Sequence, residues 1–481
     1  MVSNKVMTKE DYKGKGVNWY ECANDWFEED YIREVLDEAV RKAHDLTYIR
    51  GLIEKAGQGK GLSHQEAAVL LKVHDPIILE EMKHTAKALK EKIYGKRVVL
   101  FAPLYVSDYC VNGCEYCGYK HSNCELERKK LTMDELRREV QTLEELGHKR
   151  LALELGEDPI NNPIEYVLEC MDTIYKMRFN NGQIRRINVN IAATTIKEYE
   201  LLKEADIGTY ILFQETYHRP TYERVHPKGP KHNYSYHTSA FHRAMLGGID
   251  DVGFGVLYGL YDYTYETVAL LMHGEKLEKE MGVGPHTISV PRIRPAENVE
   301  ASQYPGVDDE AFKHIIMVLR LAVPYTGLII STREDAALRE EALQLGISQM
   351  SAGSCTAVGG YQSANHKPQF EVEDHRSPQE VIKELLLSGY IPSYCTACYR
   401  QGRTGERFMA LAKNGQIGNI CTPNALLTLN EYINDYGDEE LKQIGKEVIK
   451  EQLETIENEK ACEQAKEWIA RIDAGERDFR F

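Results

Sequence analysis

Apolar positions along this chain recur first at helical spacing and then, from about residue 97, in short blocks separated by amphipathic stretches. Asp30 to Arg50 carries apolar side chains every three or four residues, and Asp75-Pro76 and Ala86 to Ile93 continue the pattern. In Leu62-Ser63-His64-Gln65-Glu66, Ser63 stands where a helix N-cap would, with Glu66 three residues later to complete a capping box. These signals predict a helical N-terminal extension over residues 1–90.

Eight β-branched or apolar runs follow: Val98–Val106, Leu151–Leu155, Ile184–Ile191, Thr209–Gln214, Val252–Tyr258, Thr287–Pro291, Thr326–Ile330 and Ile347–Ser351. The helical stretches between them have legible ends. Thr132 with Glu135 opens Met133–Leu146, and Thr195 with Glu198 opens Ile196–Ala205. Pro163 falls in the expected first turn of another helix. Gly147, Gly208, Gly247-Gly248, Gly282 and Gly346 each follow a helical run. A strand-then-helix unit repeated eight times predicts an α/β fold, a complete parallel (β/α)8 TIM-type barrel over residues 91–375. An open doubly wound sheet uses the same grammar, and the count of eight favours the barrel.

The predicted strand ends are rich in charge: Glu154 to Asp158 after the second, Gln214-Glu215 after the fourth, Arg292 and Arg294 after the sixth, Arg333-Glu334 after the seventh. Barrel enzymes build their active sites at this end. After Asp374 a new segment begins. Ser377-Pro378-Gln379-Glu380 combines an N-cap, a proline at the first helical position and a glutamate at the third. A further helix is expected from Thr422-Pro423, and Asp438 to Asn458 reads as a charged amphipathic helix. Residues 376–481 are thus a predicted helical C-terminal domain.

The chain has 481 residues, 11 cysteines and a formal net charge of −16. That acidity, without a basic run interleaved with aromatics, argues against nucleic acid and anionic membrane as partners. Met1 to Lys15 is polar, and no apolar run reaches the ~20 residues of a membrane span. A cytoplasmic protein with reduced thiols is expected.

Six of the cysteines fall into two trios. Cys110, Cys114 and Cys117 are spaced C-x3-C-x2-C in the loop after the first strand; Cys395, Cys398 and Cys421 are spaced C-x2-C-x22-C. Three thiolates hold three irons of a cubane and leave the fourth open to a substrate or cofactor. Zinc, by contrast, usually takes four closed protein ligands at a structural site. Cys22, Cys124, Cys170, Cys355 and Cys462 lack partner spacing and read as ordinary thiols.

The first trio, with aromatic Tyr116 before its last cysteine, resembles the signature of the radical S-adenosylmethionine (SAM) superfamily. The resemblance implies a 4Fe–4S cluster whose open iron chelates SAM, and reductive cleavage of SAM to a 5′-deoxyadenosyl radical. It also implies SAM contacts from Tyr116 and from Gly156, Glu157 and Asp158, which look like the glycine- and glutamate-rich motif of the second strand; Leu155 stands where the motif's first glycine usually is.

Phe213-Gln214-Glu215-Thr216-Tyr217, Ser289-Val290-Pro291-Arg292-Ile293-Arg294-Pro295 and Ile330-Ser331-Thr332-Arg333-Glu334 resemble the aromatic amino-acid lyases of that superfamily, from about residue 40 onward. Among tyrosine lyases, the long C-terminal extension with a second trio is similar to the branch that serves FeFe-hydrogenase maturation. That resemblance implies cleavage of the Cα–Cβ bond of L-tyrosine to p-cresol and dehydroglycine. It further implies conversion of the latter to CO and cyanide at a second, auxiliary 4Fe–4S cluster. An additional iron there (a 5Fe–5S type) would be linked through a free cysteine and would leave as an Fe(CO)2(CN) synthon for the H-cluster. Arg333 and Ser351 resemble residues that hold the substrate carboxylate, Glu215 and Arg292 are implied pocket residues, and His273 looks like the ligand of the additional iron. A reductant such as ferredoxin or flavodoxin and other hydrogenase maturases are the implied partners. A 2-iminoacetate synthase-type lyase of thiazole biosynthesis, an iron–sulfur carrier, and a radical enzyme with a C-terminal zinc knuckle remain alternatives.

Overall fold

The structure, a computed structural model, describes residue 23 and residues 26–296, 298–299, 301–363, 366–413 and 415–481. Cys22 and the polar stretch Met1 to Lys15 lie outside the described residues. All eight expected strands are present: β1 Arg97–Ser107, β2 Arg150–Leu155, β3 Arg186–Asn190, β4 Tyr210–Ile211, β5 Val252–Gly255, β6 Thr287–Ser289, β7 Gly327–Ile330 and β8 Gln349–Ser351. Each pairs in parallel with the next, and β8 pairs with β1, so the sheet closes into a barrel. A ninth strand, β9 (Ile391–Ser393), adds in parallel to the first residues of β1 and was not legible from periodicity. Three residues are too few to show an alternation.

Local signals decide where the helices begin. Ser63, Thr132, Thr195 and Ser377 each accept from the backbone N–H three residues on, while the glutamate there accepts from the cap's own N–H. Two expectations shift. The stretch from Asp30 to Arg50 is two helices, Glu29–Lys42 and Leu46–Gly57, because Asp45 accepts from the N–H groups of Thr47 and Tyr48 and starts the second. The helix expected from Thr422-Pro423 begins earlier, at Gly418, and keeps Pro423 inside it, so Cys421 lies in its first turn.

Helices Glu29–Lys42, His64–Leu71 and Pro76–Tyr94 pack against the barrel helices Tyr263–Met281 and Asp309–Ala322. At the other end of the chain, Gly418–Tyr436 packs on β9 and touches β1. None of the helices is long and apolar enough to cross a membrane, among the described residues.

Candidate active site at the two ends of the barrel

β1 delivers the first cysteine trio to the C-terminal mouth of the barrel, and the loop is fastened on two sides. Val111 N donates to Glu157 O (2.8 Å), Gly113 N to Lys228 O (3.0 Å) and Glu115 N to Val225 O (2.9 Å). Asn112 joins both flanks: its Nδ2 donates to Glu157 Oε2 at 2.6 Å, and its Oδ1 accepts from Lys231 N at 3.0 Å. Gly156 is required here, since a Cβ at this position would stand 2.4 Å from Tyr109 O and 2.9 Å from Cys110 Cβ.

Cys110, Cys114 and Cys117 face one cavity of about 220 Å³ that opens from this mouth into the barrel axis. Burial pushes all three thiols up, Cys117 to about 11, with the Lys231 ammonium pulling the other way. Such thiols give up their protons on binding a cationic cluster. Amide donors point at the sulfurs, Asn112 Nδ2 at 3.9 Å from Cys110 Sγ and Gln369 Nε2 at 3.6 Å from Cys117 Sγ. The donor set fits a cubane held by three thiolates.

The other residues singled out from sequence divide. Tyr116, Gly156, Glu157, Glu215, Arg333 and Ser351 all line the cavity. Tyr116 Oη is fixed by His226 Nε2 at 2.7 Å. Glu215 has φ of 67°, a left-handed conformation rare outside glycine, and binds Lys231 Nζ at 2.7 Å. The Arg333 guanidinium stacks on Phe370, 3.3 Å from the ring centroid, and no carboxylate pairs with it among the described residues.

Three expectations are corrected. Asp158 does not reach the cavity; its carboxylate accepts from Ile160 N and Asn161 N, both at 2.9 Å, and closes its own turn. Arg292 is no pocket residue either. It is tied to Glu334 and, at 2.8 Å, to Asp309. His273 lies on the outer side of the barrel wall, its ring 4.7 Å from Phe254 of β5 and 5.5 Å from Phe27, with Nδ1 bonded to Tyr217 Oη at 2.9 Å. Phe254 is buried between two strand glycines whose side faces the barrel axis, so a ring packed on it points away from the axis.

The second trio sits at the opposite mouth, because β9 pairs with Arg97–Val99 at the start of β1 and Cys395 comes two residues after its end. Along β1 the two trios are separated by on the order of 25 Å, given ~3.3 Å per residue and the usual strand tilt. Cys395 and Cys421 are buried, Ala397 N donates to Cys395 Sγ at 3.4 Å, and the hydrogen bond from Cys421, with Arg403 beside it, pulls Cys398 down. Among the described residues no three His, Cys, Asp or Glu side chains converge as ligands of one ion; a cubane instead takes thiolates spread over its corners.

Sequence reasoning missed what surrounds this mouth. Tyr399, next to Cys398, stacks on Arg186 (3.7 Å) and Arg150 (5.3 Å), and Arg97 lies among the three thiols. His286 lies beside Tyr399 (ring centroids 5.9 Å) with Nδ1 3.2 Å from Asp251 Oδ1. Burial, then Arg150 and Arg186, hold its imidazole down at about 3, so it is neutral.

A closed parallel barrel with this cysteine loop at its C-terminal mouth defines a radical SAM enzyme. The profile of the Radical SAM superfamily matches residues 104–273, and that of the Biotin and Thiamin Synthesis associated domain matches residues 289–391. The chain belongs to the HydG family of FeFe-hydrogenase maturases. A solved structure of HydG is 58% identical, covers 95% of this chain and 100% of that one, and superposes with a TM-score of 0.93. HydG from Carboxydothermus hydrogenoformans is 37% identical over 93% of this chain and 99% of its own, with a TM-score of 0.81. The 2-iminoacetate synthase of Escherichia coli (strain K12) is 29% identical over 359 residues, 74% of this chain and 93% of that protein.

Proposed function

We propose that this enzyme cleaves the Cα–Cβ bond of L-tyrosine at the upper mouth, giving p-cresol and dehydroglycine. The glycine-derived fragment is converted to CO and cyanide at the lower mouth, for an Fe(CO)2(CN) synthon used in building the hydrogenase H-cluster. The observation that carries the reading is two cysteine trios at opposite ends of one barrel, in a chain 58% identical to a HydG. Cys110, Cys114 and Cys117 would hold the first cluster, which with SAM bound would supply a 5′-deoxyadenosyl radical able to take a hydrogen from the amino group of tyrosine.

The chain's own residues do the positioning. Arg333, over the Phe370 ring and bonded to no carboxylate among the described residues, grips the substrate carboxylate, and Ser351 Oγ stands in the same wall. Lys231 and Glu215, bonded to each other, close the side of the cavity next to Cys114. At the lower mouth Cys395, Cys398 and Cys421 hold the auxiliary 4Fe–4S cluster. His286, which lies beside Tyr399 next to Cys398, would bind the additional iron in place of His273, with a free cysteine as the link. Arg97, Arg150 and Arg186 supply positive charge around anionic ligands. A ferredoxin- or flavodoxin-type reductant and other hydrogenase maturases are the partners this chemistry calls for.

The test incubates anaerobically reconstituted, reduced protein with SAM and L-tyrosine. We expect 5′-deoxyadenosine and p-cresol in step with tyrosine consumed, followed by CO and cyanide. Absence of p-cresol would end the lyase reading.

A further inference from the structure

Glu154 is a carboxylate of the upper cavity to which neither the cysteine loop nor the proposed substrate grip assigns a role. It follows Ala152 on the inward face of β2, in register between Tyr105 of β1 and Asn190 of β3. Asn190 Nδ2 donates to its Oε2 at 2.7 Å, and no lysine or arginine pairs with it among the described residues. The charged group that faces it is Arg333 of the loop after β7. The titratable neighbour is Tyr105, whose hydroxyl is engaged with Gln369 Oε1 at 2.9 Å. Burial is the main influence on this carboxyl and pushes it up to about 8. Of the other cavity carboxylates, Glu215 is paired with the Lys231 ammonium, and Glu157 is tied by Asn112 into the cysteine loop.

The proposed reaction creates a demand for such a group. A free amino acid carries an ammonium at neutral pH, whereas hydrogen abstraction from nitrogen needs the neutral amine. We propose that Glu154 is the base that takes the proton from the substrate's α-ammonium group while Arg333 holds the carboxylate. Glu154, protonated at neutral pH, first gives its own proton to solvent as tyrosine binds; one N–H bond of the ammonium then breaks and leaves its electron pair on nitrogen, one O–H bond re-forms on Glu154, and no electron changes hands. A buried site favours the exchange, because a neutral acid and a neutral amine cost less to desolvate than two separate charges. The assignment rests on the tyrosine-lyase reading.

The test compares wild type with Glu154→Gln, which keeps the shape and the acceptor for Asn190. Tyrosine is titrated calorimetrically into SAM-loaded, unreduced holoenzyme at pH 7 in buffers of different ionisation enthalpy. Wild type should release close to one proton per tyrosine, since a protonated Glu154 and an ammonium come to share a single proton; Glu154→Gln should release none. In turnover, kcat/KM for p-cresol in wild type should rise through about pH 8 and fall again as free tyrosine loses its ammonium proton. The variant should be down about 100-fold and should only rise, following the free amine. Equal proton release by both proteins, no release by wild type, or superimposable pH profiles would overturn the assignment. Loss of p-cresol from wild type would instead overturn the lyase reading.

Discussion

Arg333 is available to a substrate because its obvious partner is taken. Its chain neighbour Glu334 is held by Arg292 and, at 2.6 Å, by Arg294, which leaves the Arg333 guanidinium on the Phe370 ring with no carboxylate bonded to it among the described residues. A bidentate grip on a carboxylate depends on the planar fork, which lysine lacks. Arg333→Lys should therefore weaken tyrosine binding by about 10- to 100-fold, corresponding to the loss of about 1.5–3 kcal/mol of charged hydrogen bonding. Calorimetric titration of tyrosine into the SAM-loaded protein checks this, and unchanged affinity would remove Arg333 from the carboxylate site. The same neighbourhood shows what sequence can and cannot reveal about single residues. The first cysteine trio, Arg333 and Glu215 could be placed because they are tied to predicted strand ends, whereas the second trio stood out by its spacing alone. Whether an acid at a strand end faces the cavity is a matter of one residue: Glu154 does, and Asp158, four positions on, folds back onto its own turn. His286 was missed because it precedes β6, and the N-terminal face of a barrel ordinarily serves stability.

At the level of elements, the C-terminal segment is joined to the barrel by a short strand and by buried ion pairs. Asp374, just before helix Pro378–Leu387, lies between Arg339 of helix Ala336–Gln344 and Arg376, 2.6 Å from the latter's Nη2. Arg376 and Arg339 hold its carboxyl below the usual range, against the opposing effect of burial. The unfolded chain therefore takes up the proton first, and the stability this group contributes above about pH 4 is lost on acidification. Asp374→Asn leaves Arg339 buried without its counter-charge and should cost about 3–5 kcal/mol, while flattening the acid limb of stability against pH. Denaturant midpoints at pH 7 and about pH 2.5, below the ordinary carboxylate range, check it: an equal deficit at both would show that charge is not the cause. Periodicity caught the eight barrel strands because helical stretches separate them, two of them opened by capping boxes at Thr132 and Thr195. It missed β9 and placed the start of Gly418–Tyr436 late, since the first is too short to show alternation and the second carries a proline past its opening turn.

Taken whole, the molecule separates two sites by the length of a barrel and links them through β1, whose last residue precedes the first trio and whose first residues pair with the strand leading to the second. The upper loop is held by Glu157 just past β2, by Val225 and Lys228, and by Gln369, none of which belongs to the segment 376–481. The lower thiols are held by β9 and by the first turn of Gly418–Tyr436. Damage below should therefore not propagate upward. Replacing Cys395 and Cys398 together by alanine should leave iron for one cluster, about half the wild-type content, because one trio of ligands remains. The 5′-deoxyadenosine and p-cresol yields should stay within about two-fold of wild type, since the upper cavity loses no contact, whereas CO should fall below detection in a haem-binding assay. Retention of CO would show that the fragment is converted without the lower site. Loss of p-cresol would show instead that the two mouths are coupled through the barrel rather than joined only by what passes between them.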